Sequence, residues 1–125
     1  MRREIITTDR IAPSVGPFSA AVRAGDLLFL SGQVGLDPAT GKLVAGDIGA
    51  QTEQIFANIS AVLEAAGKSF DDVMKTTVYL ADMRDFAAMN AVYARYFQTP
   101  YPARTTIQAA GLPLGVPVEI EVVAR

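Results

Sequence analysis

The sequence predicts an α+β domain in which two helices pack on one face of a mixed β-sheet. Apolar residues recur at helical spacing in two segments, 47–66 and 82–97. The segments around them are short, extended in character and bounded by Gly, Pro or Asp, which is typical of strands. The resulting order is β-β-β-α-β-α-β-β, and helices separated by strands in this order favour a sheet covered on one side.

Short β-branched and apolar segments predict three strands in the first part of the chain. Gly25 can take a positive φ in the turn between the second and third strands, so these two form a β-hairpin. The Gly- and Pro-containing segment 14–19 is predicted to be a shaped loop and a candidate ligand wall. A turn at 37–41 separates the sheet from the first helix. The three strands are predicted over 4–7, 19–23 and 27–31.

The two predicted helices have different start and stop signals. Gly67 can end the first helix, whereas Asp82 and Asp85 can accept hydrogen bonds from free amides at the start of the second. Further strands are predicted over 73–81, 105–109 and 116–123. The apolar stripes consist of Ile48, Ile55, Phe56, Ile59, Val62 and Leu63 in the first helix, and of Phe86, Met89, Tyr93, Tyr96 and Phe97 in the second.

Composition limits the class of protein. The chain has 125 residues, of which 50% are hydrophobic and 19% charged, so we expect one soluble globular domain over 1–125. The formal charge of -2 and the scattered basic residues predict no nucleic-acid partner. The N-terminus lacks the apolar core of a signal peptide, and no apolar run is long enough for a membrane span. We therefore expect a cytoplasmic protein with no membrane partner.

The absence of two residue types narrows the chemistry. The chain has no cysteine and no histidine, which excludes disulfides, thiolate nucleophiles and imidazole bases. It also removes the usual ligands of transition metals, so we predict no metal site. Catalysis would have to use carboxylate, guanidinium, hydroxyl, amine or backbone groups.

Arg104 and Glu119 are the charged residues whose surroundings suggest a site. Arg104 follows a proline-restricted segment and enters a strand, which would fix a guanidinium suited to a carboxylate. An exposed or salt-bridged surface arginine explains the same pattern. Glu119 and Glu121 alternate with apolar residues, so both lie on one face of a strand, either facing water or positioning a water molecule. Ser31 and Asn90 are further candidates for hydrogen bonds to a small polar ligand.

Several separated motifs occur in an order known from one protein family, and they span nearly the whole chain. They are Gly16-Pro17-Phe18, Ser31-Gly32-Gln33, Glu64 to Gly67, Lys75 to Val78, Phe86 to Asn90, Pro102-Ala103-Arg104 and Glu119-Ile120-Glu121. In these motifs the sequence resembles the RidA group, also called the YjgF or endoribonuclease L-PSP family. This family includes 2-iminobutanoate/2-iminopropanoate deaminases.

The resemblance implies a chorismate-mutase-like fold and a homotrimer with clefts between neighbouring subunits. It implies that Arg104 binds the substrate carboxylate with help from the backbone amide of Thr106, and that Glu119 orients the attacking water. Ser31 and Asn90 match further cleft positions. Phe18 stands where many active members have a tyrosine, and its missing hydroxyl removes one hydrogen-bond donor.

The implied activity is hydrolysis of reactive 2-imino and enamine acids, such as 2-aminoacrylate and 2-iminobutanoate, to 2-keto acids and ammonia. It requires no cofactor and no metal. The alternative is a non-catalytic binder of small 2-keto acids or related metabolites, motivated by Phe18. A ribonuclease is a third interpretation, which the absence of histidine and of a basic stripe does not support.

Overall fold

The computed structural model describes residues 2–125 and contains one six-stranded sheet with two α-helices. The predicted order β-β-β-α-β-α-β-β is confirmed. Short 3-10 turns precede three of these elements. The elements are β1 Glu4–Ile6, β2 Ala21–Ala24, β3 Leu27–Gln33, α1 Ile48–Ala65, β4 Val73–Leu80, α2 Phe86–Tyr93, β5 Ala103–Gln108 and β6 Val118–Ala124.

The sheet is mixed, as predicted, with the strand order β1-β2-β3-β6-β4-β5. Its neighbouring strands are antiparallel except β4 and β5, which run parallel. β6 lies inside the sheet, and its residues alternate between buried and half-buried because successive side chains point to opposite faces. One face of the sheet packs on α1 and α2, and the other face, which we call the open face, has no helix on it among residues 2–125.

The β2–β3 hairpin forms where the sequence predicts it. Gly25 has a φ of 60°, the left-handed conformation that the tight turn requires. β3 extends beyond the predicted end at Ser31 and reaches Gln33. Its pairing with β6 shifts register between Leu30 and Gln33, and an irregularity of this kind is not visible in a hydrophobic pattern.

The first helix matches its prediction closely. Asp47 is the N-cap, and its side chain accepts a hydrogen bond of 3.1 Å from the Ala50 amide. Gly67 follows the helix with a φ of 75°, as expected for a residue that ends a helix. The apolar stripe of α1 faces the sheet, with Ile55 and Phe56 fully buried.

The second helix ends earlier than its apolar pattern predicts. α2 stops at Tyr93, and the backbone amides of Arg95 and Tyr96 then bond to carbonyls three residues back, which tightens the chain into turns. Tyr96 still stacks on Phe56 with ring centroids 4.5 Å apart, and Phe97 contacts the same ring edge-on at 5.8 Å. The aromatic spacing therefore reflects packing around Phe56, not a continuous helix.

Strand β5 begins at Ala103, two residues before the predicted start at 105. The preceding residue is Pro102, which has no amide to contribute to a ladder. From Ala103 onwards the strand pairs in parallel with β4, starting opposite Lys75. β5 is an edge strand, so one side of its backbone has no neighbouring strand within residues 2–125.

No helix within residues 2–125 combines the length and the apolar character needed to cross a bilayer.

We predict that Phe56→Ala lowers the free energy of unfolding by about 3 to 5 kcal/mol, because the ring is fully buried among four other aromatic rings. Asp47→Ala removes only a helix cap and should cost about 1 kcal/mol. Urea unfolding at one protein concentration measures both values. Equal losses for the two variants would contradict this account of the core.

Candidate active site

The sequence-predicted residues fall into two separate clefts of the chain. The first, which we call the arginine cleft, has a volume of about 460 Å³. It is lined by Asn90, Tyr93, Ala94, Tyr101, Pro102 and Arg104.

Arg104 is held by the faces of two aromatic rings from α2. Its guanidinium carbon lies 4.7 Å from the centroid of Tyr93 and 5.5 Å from that of Phe86. Nη1 donates a hydrogen bond of 2.6 Å to Asn90 Oδ1. Within residues 2–125 no carboxylate forms an ion pair with Arg104. A guanidinium has five N–H donors, so after the bond to Asn90 it retains donors for an external anion.

The Tyr93 ring, which forms a platform under Arg104 together with Phe86, is itself bonded to the sheet. Thr76, on β4, is fully buried, and its hydroxyl lies 2.7 Å from the Tyr93 hydroxyl in a hydrogen bond. Burial raises the pKa of Tyr93, which keeps its hydroxyl protonated and able to donate. Because Arg104 pairs with Thr76 across the β4–β5 ladder, the guanidinium is directed to the helix side of the sheet.

Thr106 contributes a backbone amide at the open edge of β5. The Ala109 amide donates to the Leu80 carbonyl at 2.8 Å, so the odd-numbered residues of β5 point their backbone groups towards β4. By this alternation the amide of Thr106 points away from β4. The Thr106 hydroxyl is buried and has no hydrogen-bond partner among the described residues.

The second cleft, which we call the glutamate cleft, has a volume of about 360 Å³. Its walls come from the loop before β2, from β3 and from the turn before β6. It is lined by Ile11, Ala12, Pro13, Ser14, Val15, Phe18, Ala20, Ser31, Gly32, Gln33, Val34, Leu36, Pro113, Leu114 and Glu119. Apart from Glu119 and a few polar groups, the lining is apolar.

Glu119 lies on the open face in a partly desolvated position. Burial raises the pKa of its carboxyl above the ordinary value, and the negative charge of Glu121 raises it further. The two carboxylates alternate with buried residues of β6, as the sequence predicts. The Tyr79 hydroxyl donates a hydrogen bond to Glu121, and this bond raises the pKa of Tyr79. The Glu121 carboxylate thus already accepts a hydrogen bond from Tyr79, whereas no side chain among residues 2–125 donates a hydrogen bond to Glu119.

Ser31 and Phe18 have different roles in the glutamate cleft. The Ser31 hydroxyl donates a hydrogen bond of 2.7 Å to the Ser19 carbonyl, and the Ser31 amide donates one of 2.9 Å to the Ala20 carbonyl. Ser31 therefore ties the loop before β2 to β3. Phe18 is 54% exposed and presents its ring as part of the wall.

A buried amide also holds the wall of the glutamate cleft. Asn58, on α1, is 2% exposed, and its Nδ2 donates to the carbonyls of Val34 and Leu36 at 3.2 and 3.0 Å. These two bonds fix the chain that leaves β3. The sequence analysis did not identify Asn58, because one polar residue in a helical pattern gives no sign of which backbone it contacts.

Sequence reasoning also missed Leu114 and the platform of Phe86 and Tyr93. Leu114 lines the glutamate cleft with a φ of 60°, a left-handed conformation that is uncommon for leucine and concentrates at functional sites. The flanking Gly and Pro residues signalled only a turn there. Phe86 and Tyr93 matched the apolar stripe of a helix, so their contact with Arg104 was not expected.

The two clefts lie on opposite faces of the sheet. Arg104 pairs with Thr76, which points to the helices, whereas Glu119 pairs with Tyr79, three residues later on β4 and on the open face. The structure therefore brings Arg104 and Asn90 together in one cleft, and Phe18, Ser31 and Glu119 together in the other. Thr106 lines neither cleft and lies two residues after Arg104 on β5. The structure does not bring the two groups together within one chain.

Comparisons with known proteins identify relatives of this chain. Residues 7–125 match the family model described as Endoribonuclease L-PSP. A mouse protein named 2-iminobutanoate/2-iminopropanoate deaminase is 46% identical over 98% of this chain and 90% of its own length. The crystal structure of RidA from the Antarctic bacterium Psychrobacter superposes with a TM-score of 0.93 and 47% identity, covering 98% of both chains.

A third relative was solved with a ligand. The structure of E. coli TdcF with bound serine has a TM-score of 0.91 and 40% identity, and 97% of each chain is covered. Sequence and structure comparisons thus agree on the fold implied by the resemblance, the RidA/YjgF fold. The chain belongs to the endoribonuclease L-PSP family, the family of the RidA and YjgF proteins.

Proposed function

We propose that this protein hydrolyses 2-imino and enamine acids, such as 2-aminoacrylate and 2-iminobutanoate, to 2-keto acids and ammonia. The observation that carries the proposal is the state of Arg104, a fixed guanidinium with no acidic partner among residues 2–125. The deaminase name of the mouse relative supports the reaction, and serine in the E. coli relative supports a small carboxylate ligand.

The substrate carboxylate binds to Arg104. The two aromatic rings hold the guanidinium in one plane, and its remaining donors form the parallel pair that suits a carboxylate. The outward-facing amide of Thr106 adds a backbone donor at the same edge. Asn90 fixes the other side of the guanidinium. Binding of the carboxylate positions the imine carbon at a defined distance from the site of water attack.

Glu119 activates the water. Burial raises the pKa of the Glu119 carboxyl, and a carboxylate with a raised pKa is a stronger base than an ordinary glutamate. An enamine acid such as 2-aminoacrylate first becomes the imine, as one proton moves from its nitrogen to its terminal carbon. Water then adds its oxygen to the imine carbon, the π electrons move to nitrogen, and Glu119 transfers a proton from water to that nitrogen. Glu119 then carries the hydroxyl proton to nitrogen, the C–N bond breaks, and ammonia leaves as the carbonyl forms. No cofactor or metal enters these steps.

A complete site requires two copies of the chain, and we place it at the subunit boundaries of a homotrimer. Arg104 and Glu119 belong to opposite faces of one sheet, so the glutamate cleft of one protomer has to meet the arginine cleft of its neighbour. Apolar residues on the open face supply a surface for the contact, since Ile5 and Phe29 are 47% and 43% exposed. Val22 of β2 pairs with Ile5 of β1 on one side and with Phe29 of β3 on the other, so the three residues form a row across the sheet.

The proposed cellular compartment of this protein is inferred from the source of its proposed substrate. Imines of this class are released by pyridoxal-phosphate enzymes that act on serine or threonine, and they react quickly with water. A deaminase has to share the compartment of those enzymes, and the proposed compartment is the cytoplasm.

Phe18 favours a second candidate, a binder of 2-keto acids without catalysis. It stands at a wall of the glutamate cleft and offers no hydroxyl to a ligand or water. Binding of 2-ketobutyrate in calorimetry, together with no acceleration of imine hydrolysis, would favour this candidate over the deaminase.

Arg104→Ala is predicted to lower kcat/KM for 2-iminobutanoate by on the order of a hundredfold or more, because two charge-assisted hydrogen bonds are lost. The imine is generated by an amino-acid oxidase, and its decay is followed directly. Arg84→Ala is the matched control, since Arg84 is 90% exposed and pairs only with Asp82. Equal activity of the Arg104 variant and the control would eliminate the carboxylate anchor.

Glu119→Gln is predicted to lower kcat by roughly a hundredfold or more and to raise Tm at pH 7. A raised pKa means that the folded chain binds this proton more tightly than the unfolded chain. The resulting stabilisation is present below the unfolded pKa and is lost as pH rises through the folded pKa. Glu119→Gln has no ionisable group at this position and avoids that loss. The difference in Tm between Glu119→Gln and the wild type should therefore shrink as the pH falls to about 4, where the wild-type carboxyl becomes protonated.

Differential scanning calorimetry of both proteins between pH 4 and pH 8, at one concentration, measures this difference. The Tm gain is small because Glu119 is only partly buried, corresponding to about 1 kcal/mol or less. A Tm difference that does not change with pH would contradict the assigned environment of Glu119.

A further inference from the structure

Gly32 lies against the carboxylate of Glu119. A Cβ placed on Gly32 would be 2.5 Å from Glu119 Oε2, 2.8 Å from Cδ and 3.0 Å from Cγ. Carbon and oxygen atoms do not approach so closely without repulsion, and three atoms of one side chain are involved. A methyl group at position 32 and the present position of the Glu119 carboxylate therefore exclude each other.

The backbone of Gly32 does not require glycine. The glycines with left-handed conformations are Gly25, Gly41, Gly46, Gly67 and Gly115, and Gly32 is not among them. Alanine could adopt the backbone of position 32 without strain. What glycine provides at this position is therefore space for the neighbouring carboxylate.

The strand irregularity explains how this close approach arises. β3 pairs regularly with β6 up to Leu30, shifts register, and resumes opposite Ile120 at Gln33. Gly32 lies inside the shifted segment, where Ser31 and Gly32 together face Glu121 of β6. The Glu119 side chain reaches Gly32 from two residues away along β6. A bulge of this type redirects side chains locally, and glycine in a strand commonly marks a close approach.

We infer that Gly32 is a positioning residue for Glu119, whose carboxylate occupies the space that any side chain at position 32 would fill. The inference rests on the proposed role of Glu119 as the group that activates water. With the glycine surface on one side, the carboxylate has one place to lie, partly shielded from solvent. An added methyl group would move it by about 1 Å into the glutamate cleft, and a shift of that size is enough to impair proton transfer.

The first test is Gly32→Ala, with Gly111→Ala as the matched control. Gly111 is exposed, has no left-handed φ and has no atom within 4 Å of an added Cβ. Gly32→Ala should lower kcat at least tenfold with little change in KM, because Arg104 still binds the substrate carboxylate. The control should keep the wild-type values. A Gly32→Ala protein with wild-type kcat would overturn the inference.

A double variant separates positioning from general damage. In the Glu119→Gln background, Gly32→Ala should cause no further loss of kcat, because the group that it displaces is already inactive. If Gly32→Ala lowers kcat by the same factor in both backgrounds, Gly32 does not act through Glu119, and the inference is wrong. If Gly32→Ala is poorly folded, adding Glu119→Asp should recover its Tm, since the shorter side chain withdraws from the methyl group. No recovery would also count against the inference.

The last test does not depend on catalysis. Titration of the Glu119 carboxyl by ¹³C NMR, assigned by its disappearance in Glu119→Gln, should give a lower pKa in Gly32→Ala than in the wild type, because the displaced group gains solvent. Gly111→Ala should leave this pKa unchanged. If the wild-type protein does not hydrolyse imines, the proposed function fails while this result still stands. An unchanged pKa in Gly32→Ala overturns the positioning role whatever the activity.

Discussion

The proposed activity depends on one guanidinium that is fixed in place and that forms no ion pair within residues 2–125. Arg104 rests on the faces of Tyr93 and Phe86 and is steadied by Asn90, yet no acidic side chain among residues 2–125 pairs with it. The fold supplies each support separately, with the rings on α2 and the arginine on the edge strand β5. Thr76 joins the two by its hydrogen bond to Tyr93. The result is a cation in a cleft, where we propose that a small acidic ligand binds.

The alternation of side chains along strands sets the second constraint. Arg104 and Glu119 are carried by strands on either side of β4, but they point to opposite faces of the sheet. The proposed carboxylate anchor and the proposed base therefore lie in two separate clefts of one chain. Symmetric association of identical chains repeats one contact at every boundary, so in the proposed trimer the pairing of unlike clefts builds several equivalent sites from one interface. In that arrangement, loss of association would abolish the activity of every site.

Much of the fold is predicted by the spacing of apolar residues and by Gly, Pro and Asp residues at the ends of elements. The parts that were not predicted have specific causes. The hairpin at Gly25 and the helix between Asp47 and Gly67 were predictable because their signals are local. The end of α2 was not, since the aromatic residues after Tyr93 pack on Phe56 without continuing the helix.

The site was less accessible to sequence reasoning than the fold. The role proposed for Arg104 came from the family resemblance, because its spacing alone favours an exposed or salt-bridged surface arginine. The need for glycine at position 32 depends on the register between β3 and β6, and register cannot be read from amino-acid composition. The separation of Arg104 from Glu119 required the order of strands in the sheet.

Complementation between two inactive variants tests whether each site is shared by two protomers. Arg104→Ala and Glu119→Gln are co-expressed, and mixed trimers are verified by native mass spectrometry. If each site combines Arg104 of one protomer with Glu119 of its neighbour, random mixing restores intact sites at about a quarter of all boundaries. The co-expressed variants should therefore hydrolyse imines at about a quarter of the wild-type rate. Mixed trimers with no activity above that of the separate variants would contradict the sharing of sites between protomers.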